Sequence, residues 1–416
     1  MPNILQIISI IGMIIVGILY AYQLIYLFVP LLKRRRREKG PYPQKRYAFV
    51  IAARNEETVI GHLLDSIRQQ DYPAELITTY VVADNCTDST AQIARDHGAR
   101  VYTRTNKEQV GKGYALEWIF AQIKEQEGYD HFDAFVIMDA DNILKRDYLT
   151  QLNKTAAQGY QVFSSYRNAK NFGQSWIASG HSLWYLHDSC HLNRSRALLN
   201  VGCMVTGTGY GFVKELLEET KGWPFHCLTE DIEFSTWCAI HKIKIGFAHN
   251  AIFYDEQPST MNVSWRQRTR WSQGGIQVSV RYFRDYFRGI KNGGWSGWST
   301  FEAMTLGLWG YGIAGFSAVL GMVTAAVSAG IWGLAIAIAG SLVGTYLSMA
   351  LLAGYTVLTE RKKILATGWQ KVKSVLTFPL FMATFIMIAI CSLFQKFEWT
   401  PIAHTEAISV EKLEDK

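Results

Sequence analysis

The segment 132–141, FDAFVIMDAD, runs from an apolar stretch of strand length directly into two aspartates separated by one alanine. Two earlier apolar stretches, 47–52 (YAFVIA) and 77–83 (ITTYVVA), are also followed by polar residues and then by helix-like segments. This alternation of strand and helix predicts an α/β domain with a mostly parallel sheet. Because ligands of such sheets bind at the carboxyl ends of the strands, the acidic residues stand where a ligand is expected.

The acidic pairs at these strand ends are Asp139 with Asp141 and Asp84 with Asp88. Carboxylates at positions i and i+2 suit Mg²⁺ or Mn²⁺, which bind through one or two carboxylates and the phosphates of a substrate. Taken alone, either pair is also typical of a solvated turn, because Asp and Asn are common turn residues. The pairs therefore predict a metal and phosphate site only in combination with other motifs.

Two further motifs place charged groups at turns. Lys112 stands between two glycines and suits a phosphate contact, although a surface loop has the same composition. Thr229, Glu230 and Asp231 open a helix-like stretch. A carboxylate here could act as a base, but ordinary helix capping also favours Thr and acidic residues at this position.

A basic, aromatic stretch near residue 270 forms the last motif. In a helix, Gln267, Arg270 and Trp271 would share one side. Arginine binds phosphate bidentately, and an indole face suits the apolar face of a sugar ring. A helix lying on a membrane surface is the alternative for this stretch and for the basic, aromatic segment 276–291 that follows it.

The distribution of charge divides the chain into membrane and polar parts. Residues 1–32, 303–359 and 374–395 contain no charged side chain, whereas 40–300 has the composition of an ordinary cytosolic protein. Since about 20 apolar residues cross a bilayer as a helix, a purely soluble protein is excluded. A pure channel or carrier is excluded as well, because it would not need so long a polar region between spans.

The expected topology follows from the basic block 33–39, which lies directly after the first apolar run. The positive-inside rule holds this block, and the polar region after it, in the cytosol, so no nucleic-acid partner is needed to explain the charge. Six cysteines without metal-binding spacing fit a reducing compartment. The uncharged runs have room for four spans, at about 4–32, 303–327, 331–358 and 374–395. Four full spans would place both termini outside, but Pro379 leaves the last run partly interfacial as an alternative.

The order of the motifs along the chain is more specific than any one of them. It is Asp-x(3)-Asp, Gly-Lys-Gly, Asp-x-Asp, Gly-x-Gly at 207–209, Thr-Glu-Asp and Gln-x-x-Arg-Trp, followed by membrane spans. This order resembles the family 2 glycosyltransferases, in particular the membrane-embedded processive branch of cellulose, chitin, hyaluronan and poly-N-acetylglucosamine synthases. The resemblance covers about 45–285 and the flanking spans. Departures are the absence of Pro before Asn55-Glu56 and the single N-terminal span.

The resemblance implies an α/β, GT-A-like catalytic domain combined with transmembrane helices. The expected segments are an N-terminal transmembrane helix at 1–32, a basic cytosolic linker at 33–44, the GT-A-like catalytic domain at 45–275, an interfacial amphipathic segment at 276–300, about three transmembrane helices at 301–396 and a C-terminal tail at 397–416. A path through so few spans is narrow, so a homo-oligomer or another partner is a hypothesis for export.

The resemblance also implies roles for individual residues. Asp231 would be the general base, with Glu230 beside it in the same motif. Asp139 and Asp141 would bind Mg²⁺ or Mn²⁺, with Asp141 as the direct ligand. Substrate-binding roles fall on Asp84, Asp88, Lys112, Asp139, Thr208, Gly209, Gln267, Arg270 and Trp271.

The activity that the resemblance implies is inverting transfer from a UDP-sugar by a multi-pass protein of the cell membrane with a cytosolic catalytic domain. The favoured product is a β-linked exopolysaccharide, made from UDP-glucose or, as the second choice, from UDP-N-acetylglucosamine. Transfer of one sugar to a membrane lipid is the main alternative, and a non-catalytic export subunit is another. The expected partners are therefore a UDP-sugar, a growing polysaccharide or lipid acceptor, and membrane lipids.

Overall fold

The computed structural model describes residues 2–33, 40–305, 310–395, 404 and 406–414, so the basic block 33–39 lies outside the described residues except for Lys33. Eight strands form one sheet in the order β3-β2-β1-β4-β7-β6-β8-β5. The strands are β1 Tyr47–Ala53, β2 Ile77–Asp84, β3 Arg100–Arg104, β4 Ala134–Asp139, β5 Ile143–Leu144, β6 Val162–Ala169, β7 Tyr210–Val213 and β8 Ile245–Asp255. The pairs β1–β2, β1–β4, β2–β3 and β6–β8 are parallel, which confirms the predicted α/β sheet.

Helices connect the strands and extend beyond the sheet. They are α1 Pro2–Leu32, α2 Ile60–Arg68, α3 Thr90–Asp96, α4 Lys112–Gln126, α5 Tyr148–Ala156, α6 Trp176–His187, α7 Arg194–Leu199, α8 Lys214–Glu219, α9 Glu230–Ile240, α10 Met261–Arg281, α11 Phe283–Lys291, α12 Gly294–Met304, α13 Gly310–Glu360, α14 Gly368–Ser392 and α15 Val410–Glu414. A π-helical segment, Asp188–Asn193, joins α6 to α7.

The sheet is buried on both faces because successive side chains of a strand point in opposite directions. In β1, Phe49 and Ile51 pack in one apolar cluster with Leu63 of α2 and Leu149 of α5. The neighbouring Val50 packs in a second cluster, on the other face, together with residues of α4 and α9. The near-continuous apolar sequence of the central strands is therefore explained by burial on both sides.

The parallel strands end together and place their last residues at one edge. Ala52 of β1 pairs with Asp139 of β4, and Ala53 pairs with Ala83 of β2, one residue before Asp84. Asn85 follows with a positive φ of 55°, a left-handed conformation that Asn adopts more readily than most residues. The chain thus turns directly after the acidic residues, and their side chains remain at the carboxyl edge.

Three helices of the described chain are long and apolar enough to cross a membrane: α1, α13 and α14. Helix α13 breaks at Ala329 and Gly330, the predicted turn, because Gly330 has a φ of +62°. Its arm 310–328 runs antiparallel to α1 and its arm 331–360 runs parallel to α1. Two hydrogen bonds fix this arrangement, from Ser9 to the Ser317 carbonyl and from Tyr355 to the Leu27 carbonyl.

Two features differ from the sequence-based expectations. The span expected from residue 303 overlaps helix α12, Gly294–Met304, whose Ser296 donates to the Ala239 carbonyl of α9, and the described part of α13 starts at Gly310. The expectation that both termini lie outside is wrong for the C-terminus, since His404 contacts Glu56 of the sheet domain. Hydropathy alone could not detect this return, because it measures the apolarity of α14 and not the direction of that helix.

Candidate active site

The carboxyl end of β2 holds Asp84 in a buried ion pair. The Arg104 guanidinium donates to Asp84 Oδ1 at 2.6 Å, and both side chains are nearly inaccessible to solvent. Asp88, predicted as the partner of Asp84, instead accepts hydrogen bonds from the Thr90 backbone and hydroxyl and from the Glu57 backbone. Asp84 therefore lies at the ligand-binding edge, whereas Asp88 stabilises the loop between β2 and α3.

Lys112 links two of the predicted motifs. Its ammonium contacts Asp139 Oδ1, donates to the Gly207 carbonyl at 2.6 Å and lies 3.9 Å from Glu230 Oε1. Gly111, which precedes it, has a φ of +136°, and this conformation starts α4 at the sheet edge. Burial opposes the charge, but the carboxylates of Asp139 and Glu230 outweigh it and raise the pKa of Lys112.

Asp141 is buried one residue beyond Asp139. It accepts hydrogen bonds from the Asn142 side chain at 3.2 Å and from the Glu256 backbone at 3.0 Å. Burial would raise its pKa, but the positive side chains of His404 and Lys170 outweigh burial and keep the pKa of Asp141 below its ordinary value. The carboxylate is therefore ionised and held in one orientation, as a metal ligand requires.

The residues around Asp141 fit a hard divalent cation. Burial raises the pKa of Glu56, and the negative charges of Asp141 and Asp139 raise it further, while His404 opposes the rise. Across residues 2–33, 40–305, 310–395, 404 and 406–414, no three Asp, Glu, His or Cys side chains form a complete metal cage. Mg²⁺ or Mn²⁺ fits such a site, because it binds through one or two carboxylates and takes its other ligands from phosphates and water.

His404 is a site residue that the sequence did not reveal. Its Nδ1 lies 3.0 and 2.9 Å from the two carboxylate oxygens of Glu56. Burial disfavours the charged ring, but Asp141, Glu56 and Glu256 outweigh burial and raise the pKa of His404 to about 10. An imidazolium from the C-terminal segment therefore compensates the acidic cluster, and no local pattern around residue 404 predicts this contact.

Glu230 and Asp231 lie at the N-terminus of α9, where the helix dipole favours negative charge. Burial and the neighbouring Asp231 raise the pKa of Glu230 to about 7, against the opposing charge of Lys112. Burial also raises the pKa of Asp231, with Arg270 and Lys112 opposing. Glu230 faces Lys112, whereas Asp231 Oδ2 faces the turn at Gly207 and is the more accessible of the two carboxylates.

The glycine-rich turn at 207–209 lies next to Asp139 and Lys112. Thr208, predicted on the acceptor side, is buried and accepts from the Asp139 backbone at 2.8 Å while donating to Asn142 Oδ1 at 2.5 Å. Gly209 has a φ of +67°, and a Cβ there would lie 2.1 Å from the Phe253 ring. Only glycine fits this position, and both residues serve to support the turn that carries Asp139 and Asp141.

Helix α10 brings Gln267, Arg270 and Trp271 to the site. Arg270 donates to the Leu228 carbonyl, just before the Thr229-Glu230-Asp231 motif, at 2.9 Å. The Gln267 side-chain oxygen is buried and has no hydrogen-bond partner among the described residues. A Cβ at Gly274 would lie 2.5 Å from Thr229, which shows how closely α10 packs against the motif.

Trp271 belongs to an aromatic wall that sequence reasoning predicted only in part. The Tyr185 ring of α6 lies 6.1 Å from Trp271, and the Arg167 guanidinium stacks 3.6 Å from the Tyr185 ring centroid. Arg167 is itself fixed by Asp255 and by the Thr206 carbonyl. Tyr185 and Arg167 come from segments without a recognisable motif, so neither residue could be predicted from the sequence.

Comparison with known proteins identifies the family of the domain. Residues 43–274 match the family described as Glycosyltransferase like family 2. A beta-monoglucosyldiacylglycerol synthase of Synechocystis sp. is 26% identical over 250 residues, covering 59% of this chain and 50% of that protein. A poly-beta-1,6-N-acetyl-D-glucosamine synthase of Staphylococcus epidermidis is 23% identical over 237 residues, covering 57% and 56%. The chain thus spans about half the length of these relatives.

The fold has a counterpart among solved structures. A mannosyltransferase of Pyrobaculum calidifontis, in complex with GDP-Man and Mn²⁺, superposes with a TM-score of 0.59. The alignment covers 94% of this chain and 99% of that one at 18% identity. At this identity the similarity establishes the fold, a GT-A-like domain with long apolar helices, and leaves the substrates to be argued from the site.

Proposed function

Because the chain belongs to glycosyltransferase-like family 2, we propose that it is a membrane-bound inverting enzyme that extends a β-linked polysaccharide from a UDP-sugar. The observation that carries this proposal is the position of Lys112 between Asp139 and Glu230, since it joins the metal pair to the motif of the base. A donor diphosphate at the sheet edge would lie next to both. UDP-glucose is the favoured donor and UDP-N-acetylglucosamine the second.

Each residue of the site has a proposed role in glycosyl transfer, either in binding the donor diphosphate or in accepting a proton. Mg²⁺ or Mn²⁺, when bound by Asp141 and Asp139, neutralises the diphosphate and makes it a better leaving group. Lys112 and Arg270 hold the same diphosphate oxygens by charged hydrogen bonds. Asp231 accepts the proton of the attacking hydroxyl. Attack on the face opposite the leaving group inverts the anomeric carbon once, so an α-linked donor yields a β-linked product.

The wall formed by Trp271, Tyr185 and Arg167 supports a carbohydrate acceptor. Aromatic faces pack against the apolar face of a sugar ring, while polar groups at the ring edges bind hydroxyls. The unpartnered oxygen of Gln267 is such a polar group on the same helix as Trp271. A growing chain would lie on this wall with its terminal hydroxyl directed toward Asp231.

Transfer of a single sugar to a membrane lipid is the second candidate. The similarity to the Synechocystis beta-monoglucosyldiacylglycerol synthase favours it. Helix α11 adds a structural argument, because Phe283 and Phe287 are exposed beside Arg284 and Arg288, as on a helix that lies at a membrane surface. A lipid acceptor could then reach the site from the bilayer.

Analysis of the product separates the two candidates. The full chain in nanodiscs would receive Mn²⁺ or Mg²⁺ and a panel of radiolabelled UDP-sugars, and the products would be separated by size and by lipid extraction. High-mass label that a β-glucanase or a hexosaminidase digests supports the polymerase and identifies the sugar. Label that moves only into the lipid phase contradicts polymer synthesis and supports the lipid glycosyltransferase.

We also propose that the enzyme is a multi-pass protein of the cell membrane with its catalytic domain in the cytosol. The basic block 33–39 after α1 supports this orientation. A path between α1 and the two arms of α13 is narrow, so export of a polymer would need a second copy or another partner. Proteoliposomes that contain isolated monomers and still accumulate internal polymer would contradict this requirement.

A further inference from the structure

Helix α14 contacts the catalytic domain along its whole length. Near its start, Gln370 donates to the Gly173 carbonyl at 3.2 Å. In the middle, Phe381 packs against His181 of α6 with ring centroids 4.9 Å apart. At its end, Gln273 of α10 donates to the Ser392 carbonyl at 3.0 Å. A helix of 25 residues is about 37 Å long, so the axis of α14 follows the domain surface over that distance.

The two faces of α14 have different environments. The inner face packs on α6 and α10 and includes Ser374, Phe378, Phe381 and Ile388, which are buried. The opposite face is apolar but exposed, and its large side chains are three or four residues apart except where the small Ala383 stands between Leu380 and Ile386. This outer stripe consists of Trp369, Val372, Leu376, Leu380, Ile386, Met387 and Ile390.

The position of the following chain also constrains α14. His404 is back at the carboxyl edge of the sheet, and only the eleven residues 393–403 separate it from Ser392. If α14 crossed a bilayer, these residues would have to cross it again. A returning helix needs about 20 residues, and extended backbone exposed to lipid would leave its polar groups unsatisfied.

We infer that α14, although long and apolar enough to span, lies half-embedded in the membrane surface with its outer stripe in lipid. The partner of the outer stripe is thus the acyl region of the leaflet next to the catalytic domain. The chain then has three crossings, made by α1 and the two arms of α13, and its C-terminus lies on the side of the catalytic domain. This inference depends on the membrane attachment proposed above but not on the donor or the acceptor.

In this arrangement the lipid surface would affect the active site through α14, because α14 contacts residues next to Trp271 and Gln267. His181 lies between Phe381 of α14 and Trp271 of the aromatic wall, whose ring centroid is 5.6 Å from its own. Arg268, one residue after Gln267, stacks at 4.6 Å on Phe381 and donates to Thr384 at 2.7 Å. Helix α14 therefore positions α10 from the side opposite the site, and lipid that holds α14 in place also holds Trp271.

Membrane depth along α14 tests the inference. Single cysteines carrying a spin label would replace Val372, Leu376, Leu380, Met387 and Ile390 in a variant whose native cysteines are changed to serine or alanine. The full chain would be placed in nanodiscs, and depth would be measured from label collisions with oxygen and with a water-soluble nickel complex. Labels at Leu342, Leu347 and Leu351, exposed on the arm 331–360, provide the matched control.

The expected result is one shallow depth, constant within about 5 Å, for all five labels on α14. A crossing helix would instead change depth by about 27 Å between positions 372 and 390, at 1.5 Å per residue, and that profile would overturn the inference. The control labels must change depth steadily along their arm. Control labels that remain in water would show that the membrane attachment itself is wrong. This outcome differs from an error about α14 alone, in which the control labels still change depth.

Discussion

Lys112 places its ammonium between Asp139 and Glu230, in contact with the first and 3.9 Å from the second. The two acids belong to different motifs, one at the end of β4 and one at the start of α9. A single cation thus connects the proposed metal pair to the motif of the proposed base. This relation brings three weak sequence motifs together at one place in the fold.

Replacement of Lys112 by alanine should weaken donor binding. A hydrogen bond to a charged group is worth about 1.5–3 kcal/mol, so the affinity for UDP in the presence of Mn²⁺ should fall about 10- to 100-fold by calorimetry. Lys214→Ala is the control, because its partner Asp130 is 90% exposed on the surface. Unchanged UDP affinity in Lys112→Ala would remove this residue from the donor site.

His404→Ala should strengthen the binding of Mn²⁺ in the absence of nucleotide. The variant removes a positive charge beside Glu56 and Asp141, so the acidic cluster attracts a divalent cation more strongly. Free Mn²⁺, measured by electron paramagnetic resonance, reports this affinity, and His131→Ala, at an exposed position, serves as a surface control. Weaker Mn²⁺ binding in His404→Ala would contradict the prediction and make His404 a metal ligand instead of a competing cation.

Glu230→Gln should flatten the dependence of stability on pH. Its folded-state pKa of about 7 lies above the ordinary value of 4.5, so the folded protein holds this proton more tightly than the unfolded chain. The stabilisation is therefore fully present below about pH 4.5 and is lost as the pH rises through about 7. Over this window Tm should fall less in Glu230→Gln than in the wild type or in the exposed control Glu219→Gln, and equal slopes would contradict the assignment.

Loss of the ion pair between Arg196 and Glu302, which joins α7 to α12, should destabilise the folded protein strongly. Both side chains are buried, with 1% and 0% exposure, and their atoms lie 3.1 Å apart. Arg196→Ala leaves a buried carboxylate without its partner, which costs about 3–5 kcal/mol in the free energy of unfolding. The exposed pair of Arg288 with Asp285 is the control, since its loss costs at most about 1 kcal/mol. Thermal unfolding in detergent measures both variants, and equal effects would contradict the ranking.

The sheet could be predicted because strands that are buried on both faces consist of continuous apolar residues, and two of these runs end at Asp84 and Asp139. The sequence also predicted that Lys112, Asp141, Asp231, Arg270 and Trp271 act together, through the order of their motifs. His404 and Arg167 could not be predicted, because they reach the site through tertiary contacts that have no local signature. Glu56 belongs to the Asn55-Glu56 pair after β1, but its contact with His404 could not be predicted. The role of His404 depends on how the chain returns after α14.

For the membrane helices, too, the features with a local sequence signal could be predicted and those that depend on tertiary contacts could not. Gly330 marks the turn of α13 in the sequence, since a glycine in a long apolar run is a natural place for a reversal. The orientation of α14 has no such local signal. Its composition is that of a membrane span, and its direction follows only from its packing on α6 and α10. Thr208 and Gly209, predicted on the acceptor side, support a turn beside Asp139 in the structure, and a glycine-rich turn is equally typical of a substrate loop and of a structural support.

Transfer from a UDP-sugar by the purified full chain, with wild type and Asp231→Asn compared, shows whether the protein is an inverting glycosyltransferase with Asp231 as its base. We expect incorporation that requires Mg²⁺ or Mn²⁺, a β-configured product by nuclear magnetic resonance, and a loss of at least about 100-fold in Asp231→Asn with UDP binding retained. Asp130→Asn, on the surface, should transfer like the wild type. Unimpaired transfer by Asp231→Asn, or no incorporation from any UDP-sugar with metal present, would contradict this assignment.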